Sequence, residues 1–199
     1  FYCNDCTDKL DYYTSEWKKL GFQPDGIYTG FLSSEKQVDK ILDFINSFET
    51  ENTLVLVDPV MGDGGRTYSL FTDALACKMK KLVTVADVIT PNLTECCILC
   101  DVDYCEFIKN ADKPDFMDKI AELSKNLLNR YGVKIVIITG IDHKDIDGTM
   151  YVQNLIASKD EVFSVSCKKI GGSYSGTGDL FASVMFSGLL RGDTLRDRK

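Results

Sequence analysis

The chain has 199 residues, of which 44% are hydrophobic and 27% are charged. This length and composition are typical of one globular domain with enough apolar material for a core. The net charge is −7 and the pI about 4.8, so non-specific binding to nucleic acid is not expected. The sequence has no run of about 18 apolar residues, so no membrane-spanning segment is predicted.

The eight cysteines include two pairs with the spacing of zinc ligands, Cys3 with Cys6 and Cys97 with Cys100. The pairs lie far apart in the chain. Cys97 and Cys100 also fall in a helical segment, where cysteine acts as a small apolar residue. We therefore expect core packing rather than a zinc site. Because no signal-peptide pattern is present, we expect reduced thiols and a cytoplasmic location.

Short β-branched runs alternate with longer amphipathic segments along the whole chain. The pattern predicts helices at 8–20, 34–48, 72–81, 93–100, 115–131 and 179–190, and strands at 26–29, 53–58, 87–90, 134–139, 149–153 and 162–167. The polar stretch 101–114 is predicted to be an irregular surface loop. Two of the strands are continuously apolar, as central strands covered on both faces are. The alternation predicts an α/β fold with a largely parallel sheet.

Ligands of such folds bind at the carboxyl ends of the strands. Four segments with chemically useful residues follow predicted strands, namely 58–65, 90–95, 139–140 and 176–179. We expect these four segments to meet at one edge of the sheet.

The glycine-rich turn 171–178, which is followed by Asp179 and an apolar helix, is the most informative segment. Small residues let the backbone approach a ligand closely. The first amides of a helix lack intrahelical partners and lie at the positive end of its dipole, so the turn can hold a phosphoryl group. The carboxylate of Asp179 can accept a proton from an attacking hydroxyl beside that anion site. The alternative is an ordinary strand–helix turn in which Asp179 starts the helix.

Three carboxylates follow neighbouring strands and could serve a magnesium ion: Asp58 and Asp63 in one loop, and Glu95 in the next. Each also has a structural explanation. Asp-Pro and Asp-Gly are common in turns, and Asn92 with Glu95 forms a capping-box pattern. In the same way, Thr139 could simply end its strand.

Taken together, these segments resemble the pyridoxal kinases of the ribokinase-like superfamily. The resemblance rests on Asp-Pro-Val-Met-Gly-Asp at 58–63 with Tyr68, Thr-Pro-Asn-x-x-Glu at 90–95, Thr139 after an apolar strand, and Gly-Thr-Gly-Asp at 176–179. It covers nearly the whole chain in order. It implies a three-layer α/β/α sandwich with a central, mostly parallel sheet.

The resemblance also implies a function, the ATP-dependent phosphorylation of the 5′-hydroxymethyl group of pyridoxal, pyridoxine or pyridoxamine by a homodimer. Asp179 would be the catalytic base at the substrate, and the amides of Gly176, Thr177 and Gly178 would form the anion hole. The residues implied at ATP are Asp63, Tyr68, Asn92, Glu95, Thr139 and Gly140. Asp63 and Glu95 would serve Mg²⁺, and Asp58 and Thr90 would help to hold a monovalent cation such as K⁺.

Two other functions stay open. Hydroxymethylpyrimidine kinases share the Asp-Pro-Val and Thr-Pro-Asn segments, but their anion hole usually contains cysteine, which 176–179 lacks. A nucleotide-binding module without turnover is the other alternative. Pyridoxal kinases carry a strand before and helices after the region that this sequence matches. We therefore expect residues 1–199 alone to bind ATP weakly, to turn over pyridoxal poorly and to associate.

Overall fold

The computed structural model describes residues 5–172 and 174–196. After a 3₁₀ turn at Thr7–Lys9, the helices are α1 (Leu10–Lys19), α2 (Glu35–Phe48), α3 (Asp73–Val83), α4 (Leu93–Cys100), α5 (Tyr104–Ile108), α6 (Phe116–Tyr131) and α7 (Thr177–Leu190). The strands are β1 (Gly26–Thr29), β2 (Leu54–Val57), β3 (Gly62–Asp63), β4 (Arg66–Thr67), β5 (Val88–Ile89), β6 (Ile135–Lys144), β7 (Met150–Ser158) and β8 (Val162–Lys168).

The main sheet has the order β1-β2-β5-β6-β7-β8. The pairings from β1 to β6 are parallel, whereas β7 lies antiparallel to both β6 and β8. Strand β8 therefore runs in the same direction as the parallel strands. The carboxyl ends of β1, β2, β5, β6 and β8 all point toward one edge of the sheet.

Alternate residues of the central strands pack into two apolar layers. Val57 and Ile89 belong to a large core that includes residues of α2, α3, α4 and α6. Leu56 and Val88 face the other way, onto Phe186 and its neighbours in α7. The result is the predicted three-layer α/β/α arrangement with a mixed, mostly parallel sheet.

Helices α2 and α3 begin close to their predicted starts, and polar side chains cap them: Ser34 accepts the amide of Gln37 and Thr72 accepts that of Leu75. Several other boundaries were wrong. The stretch 101–114 is not all irregular, since α5 lies within it and Asp103 caps that helix. Strands β6 and β7 each continue well past their predicted ends, and α7 starts two residues before Asp179, at Thr177.

The cysteines of α4 behave as their helical setting predicted. Cys96 and Cys97 are buried in the large core, where burial raises the pKa of the Cys97 thiol to about 11. Within residues 5–172 and 174–196, no group of three or more His, Cys, Asp or Glu side chains is placed to hold a metal ion, and Cys3 of the considered zinc pair lies outside the described residues. None of the helices in the same ranges has the length and apolarity to cross a bilayer.

Candidate active site

The ends of the parallel strands lie side by side, joined by backbone hydrogen bonds. Asp58 N–H donates to the carbonyl of Thr29 at 2.8 Å, and Thr90 N–H donates to that of Val57 at 3.3 Å. The next strand joins this row, because Thr139 N–H donates to the carbonyl of Pro91 at 2.9 Å. Three of the four predicted segments thus form one continuous edge.

Asp58 lies deep in this edge and is only 9% exposed. Burial raises the pKa of its carboxyl to about 6; the Thr90 hydroxyl opposes this rise and the charge of Asp179 adds to it. The hydroxyl oxygens of Thr29 and Thr90 are buried and have no hydrogen-bond partner of ordinary geometry in the described part of the chain. A carboxylate flanked by two buried hydroxyls is a set of oxygens that suits a hard cation.

Asp63 lies in a short hairpin, β3–β4, that the sequence did not predict. Gly64 and Gly65 form its tip with φ angles of 57° and 78°, the conformation of a type I′ turn. The side chain of Asp63 is exposed and accepts the amide of Gly64 at 2.8 Å. Tyr68 follows the hairpin, and its amide donates to the carbonyl of Met61 at 3.1 Å. The Asp-Gly pair is therefore a turn, and its carboxylate stays accessible.

Glu95 is buried, at 3% exposure, and it links two loops. One oxygen accepts the amide of Met61 at 3.0 Å and the other accepts that of Asn92 at 2.8 Å. The Asn92 side chain accepts the amide of Glu95 in return, which completes a capping box. Burial raises the pKa of Glu95 to about 8 despite these amide donors. The capping box, which the sequence offered as a structural explanation of Asn92 and Glu95, is therefore present.

Tyr68 lies near both the Glu95 and the Asp63 carboxylates. Burial raises the pKa of the Tyr68 phenol, and the nearby Glu95 and Asp63 carboxylates add to the rise. The Asn92 side chain also reaches the hairpin, where it donates to the carbonyl of Gly62 at 2.8 Å. The predicted nucleotide-side residues of these two loops thus surround a single hairpin.

Thr139 and Gly140 lie one strand further along the sheet edge. The suggestion that Thr139 ends its strand is wrong, because β6 continues to Lys144 across an irregularity between Ile138 and Ile141. Gly140 adopts a φ of 70°, and its amide donates to the side chain of Asn154 at 3.1 Å. This kink leaves Gly140 exposed at the edge.

The glycine-rich turn leads into α7 with Gly176 at the N-cap position and a φ of 85°. Leu180 N–H donates to the carbonyl of Gly176 at 3.0 Å, which is the first turn of helical bonding. The amides of Thr177 and Gly178 come before that bond, so they lack intrahelical partners. Ser173, in the middle of the predicted turn, lies outside the described residues.

Asp179 points from the first turn of α7 toward the end of β1. One carboxylate oxygen lies 3.5 Å from the Tyr28 hydroxyl and 3.8 Å from the ideal Cβ position of Gly30. Burial raises the pKa of Tyr28, and the charges of Asp58 and Asp179 add to the rise. The sequence did not single out Tyr28, because an aromatic residue in a strand is usually a core residue. Its position near the carboxyl end of the predicted strand 26–29 was the available signal.

A helix start rich in small residues, a carboxylate in its first turn and a row of oxygen ligands nearby can together hold a phosphoryl group and accept a proton. The three-layer arrangement and mixed, mostly parallel sheet define a ribokinase-like α/β fold. A sequence profile of the phosphomethylpyrimidine kinase family matches residues 18–198, and the chain belongs to this family.

Individual relatives point in the same direction. A provisionally named pyridoxal kinase of Schizosaccharomyces pombe is 29% identical over 84% of this chain and 47% of its own length. A crystal structure from Bacteroides thetaiotaomicron is provisionally named a phosphomethylpyrimidine kinase and contains pyridoxal. Its sequence is 36% identical and its TM-score is 0.84, over 96% of this chain and 64% of that one.

Plasmodium falciparum PdxK, solved with the ligands AMP-PNP and PL, is 25% identical with a TM-score of 0.69, over 94% of this chain and 65% of that one. The chain spans about half the length of the curated relatives that it matches.

Proposed function

We propose that this protein transfers the γ-phosphoryl group of ATP to the 5′-hydroxymethyl group of pyridoxal or a related vitamer. The observation that carries the proposal is the position of Asp179 in the first turn of α7, directly after the Gly176–Gly178 turn and facing the end of β1. The similarity to a structure containing pyridoxal, and to one containing AMP-PNP, supports the choice of both substrates.

In the proposed reaction, Asp179 accepts the proton of the hydroxymethyl group as its oxygen attacks the γ-phosphorus. A new O–P bond forms, the bond between the γ-phosphorus and the bridging oxygen breaks, and ADP leaves. The amides of Gly176, Thr177 and Gly178 stabilise the negative charge on the transferring group. Positioning and charge stabilisation supply most of the catalysis in this kind of transfer.

Cations fit the remaining carboxylates. Asp63 is accessible on the hairpin and would hold Mg²⁺ together with the ATP phosphates, whose charge the ion neutralises. Both carboxylate oxygens of Glu95 already accept backbone amides, so in this proposal Glu95 lies behind Asp63, on the Mg·ATP side of the site. The buried Asp58 carboxylate and the buried hydroxyl of Thr90 suit a monovalent cation such as K⁺.

The remaining nucleotide contacts in this proposal come from residues along the same edge. Asn92 and Tyr68 border the phosphates, and Thr139 and Gly140 border the nucleotide further along the sheet. The segment Gly62–Tyr68, which contains the hairpin, covers the phosphates. Support for this arrangement is the single continuous row that these residues form at the strand ends.

Phosphorylation of hydroxymethylpyrimidine is the second candidate, and the family match favours it. The cysteine that hydroxymethylpyrimidine kinases usually have in the anion hole is absent from 176–179, which favours phosphorylation of a pyridoxal-type vitamer.

We further propose a cytoplasmic homodimer. The free thiols of Cys96 and Cys97 are consistent with a reducing compartment, and the dimer rests on the resemblance alone.

Asp179→Asn tests the proposal because it keeps the shape of the side chain and removes the base. With pyridoxal as substrate, and Mg²⁺ and K⁺ present, we expect turnover to fall by about 10²–10⁴-fold while ATP affinity is retained. A coupled ADP-release assay with pyridoxal, pyridoxamine and hydroxymethylpyrimidine separates the candidate activities. Asp160→Asn, an exposed carboxylate at the β7–β8 turn, is the matched control. Turnover of Asp179→Asn within a few-fold of the parent would refute the assignment.

A further inference from the structure

The hairpin Gly62–Thr67 is held against α4 by two hydrogen bonds. Gly65 N–H donates to the hydroxyl of Thr94 at 2.9 Å, and the Asn92 side chain donates to the carbonyl of Gly62 at 2.8 Å. Thr94 is only 4% exposed, so the tip of an exposed turn is tied to a buried side chain. The hairpin thus has a defined resting position before any ligand binds.

The aromatic ring of Tyr104, from α5, covers the same tip. An ideal Cβ placed on Gly65 would lie 2.4 Å from Cδ1 and 2.7 Å from Cε1 of Tyr104. Carbon atoms in contact are normally about 3.5–4.0 Å apart, so the ring occupies the space that a side chain at residue 65 would need. The φ of 78° at Gly65 also favours glycine.

The Tyr104 phenol also lies close to the proposed metal-side carboxylate. Burial raises the pKa of Tyr104, and the charge of Asp63 is the next largest cause. Phe107, on the same helix, behaves differently, because its ring packs inward on Phe116 with the centroids 5.5 Å apart. Tyr104 is therefore the aromatic residue of α5 whose ring contacts the hairpin.

We infer that Tyr104 is a positioning residue, which clamps the hairpin tip and thereby presents Asp63 to the metal–triphosphate complex. The inference rests on the proposed function, in which Asp63 serves Mg·ATP. The vitamer would bind on the other side of the phosphoryl group, near Asp179. Loss of the clamp should therefore weaken the use of Mg·ATP and leave the use of pyridoxal unchanged.

The first test needs no ligand. Arg66 lies in the hairpin, so tryptic cleavage after Arg66 reports how often the hairpin opens. We expect Tyr104→Ala to accelerate this cleavage by about tenfold, equivalent to about 1.4 kcal/mol, and Tyr104→Phe to match the parent because the ring remains. Phe107→Ala is the control for general loosening of α5. Should Tyr104→Ala fail to fold, Thr94→Val removes the acceptor of the Gly65 amide and should accelerate cleavage in the same way.

The second test is kinetic. In Tyr104→Ala we expect the KM for Mg·ATP to rise by about tenfold with the KM for pyridoxal unchanged, and Tyr104→Phe should restore the parent values. Unchanged cleavage at Arg66 in Tyr104→Ala, or equal acceleration in Phe107→Ala, would overturn the clamp. A parent protein without kinase activity would instead contradict the proposed function, since the cleavage result stands independently of it.

Discussion

Glu95 combines an observed structural role with a predicted role at the metal. Its two oxygens receive amides from Met61 and Asn92, so one side chain fixes the loop after β2 and the start of α4. The spacing of Asn92 and Glu95 predicted the capping box. The bond to Met61 joins residues 34 positions apart and could not be predicted, because it depends on how β2 and β5 pair. A role at the metal remains a prediction.

The raised pKa of Glu95 gives the stability of the protein a defined pH dependence. The pKa is about 8 in the folded protein against an ordinary value of 4.5, so between these values the folded state holds a proton that the unfolded state releases. This contribution to stability is complete below pH 4.5 and is lost as the pH rises through 8.

We therefore expect the melting temperature of the parent to fall between about pH 5 and pH 8, and Glu95→Gln to show a flatter curve. Asp58 contributes with the same sign but is retained in both proteins, so the difference between the two curves isolates Glu95. Thermal unfolding without ligands measures it. Glu106→Gln, an exposed residue of α5, serves as the control. Parallel curves for the parent and Glu95→Gln would contradict the assignment.

At the scale of elements, the hairpin β3–β4 depends on Gly62. An ideal Cβ on Gly62 would lie 2.3 Å from the carbonyl oxygen of Arg66 and 2.9 Å from the Cα of Thr67. Both of these are backbone atoms that cannot rotate away. Any side chain at residue 62 must push the two strands apart.

Gly62→Ala should therefore open the hairpin, destabilise the protein by about 1–3 kcal/mol and lower kcat/KM for Mg·ATP. Chemical denaturation and steady-state kinetics measure the two effects. Gly172→Ala adds a methyl group where no atom lies within 4 Å and is the matched control for stability. Asp160→Asn, at the exposed β7–β8 turn, is the control for the kinetics. If Gly62→Ala leaves the stability and kcat/KM for Mg·ATP at the parent values, the hairpin does not depend on a glycine at residue 62.

The main elements follow from periodicity and caps, and the missed ones have physical reasons. Helix α5 is only five residues long, too short for a helical stripe to show in the sequence. It is fixed by Asp103 at its cap and by apolar contacts with the core. Gly140 hid the continuation of β6, because glycine is depleted in strands. In the structure it adopts a positive φ and forms a kink within the strand.

At the scale of the whole molecule, the two faces of the sheet are covered unequally. The face toward α2, α3, α4 and α6 builds the large core, whereas the described residues of the other face are covered chiefly by α7. Beside α7 lies a groove of about 390 Å³. Its lining is mostly apolar, and consists of Ile137, Asn154, Ile156, Val165, Thr177, Leu180, Phe181, Val184, Met185 and Leu195.

This groove leads to a prediction about association. Leu180 and Val184 are 66% and 62% exposed, an unusual degree for apolar residues beside an apolar groove. Contiguous exposed apolar area promotes association, so a protein consisting of residues 1–199 alone should form dimers or larger species through this face. Val184→Lys places a charge at the groove and should shift the protein toward the monomer. The control is Val102→Lys, which changes an exposed valine after α4 and should leave association unchanged. Light scattering after size-exclusion chromatography distinguishes these outcomes. A monodisperse monomer of the parent sequence, or equal effects of the two substitutions, would show that the groove does not drive association.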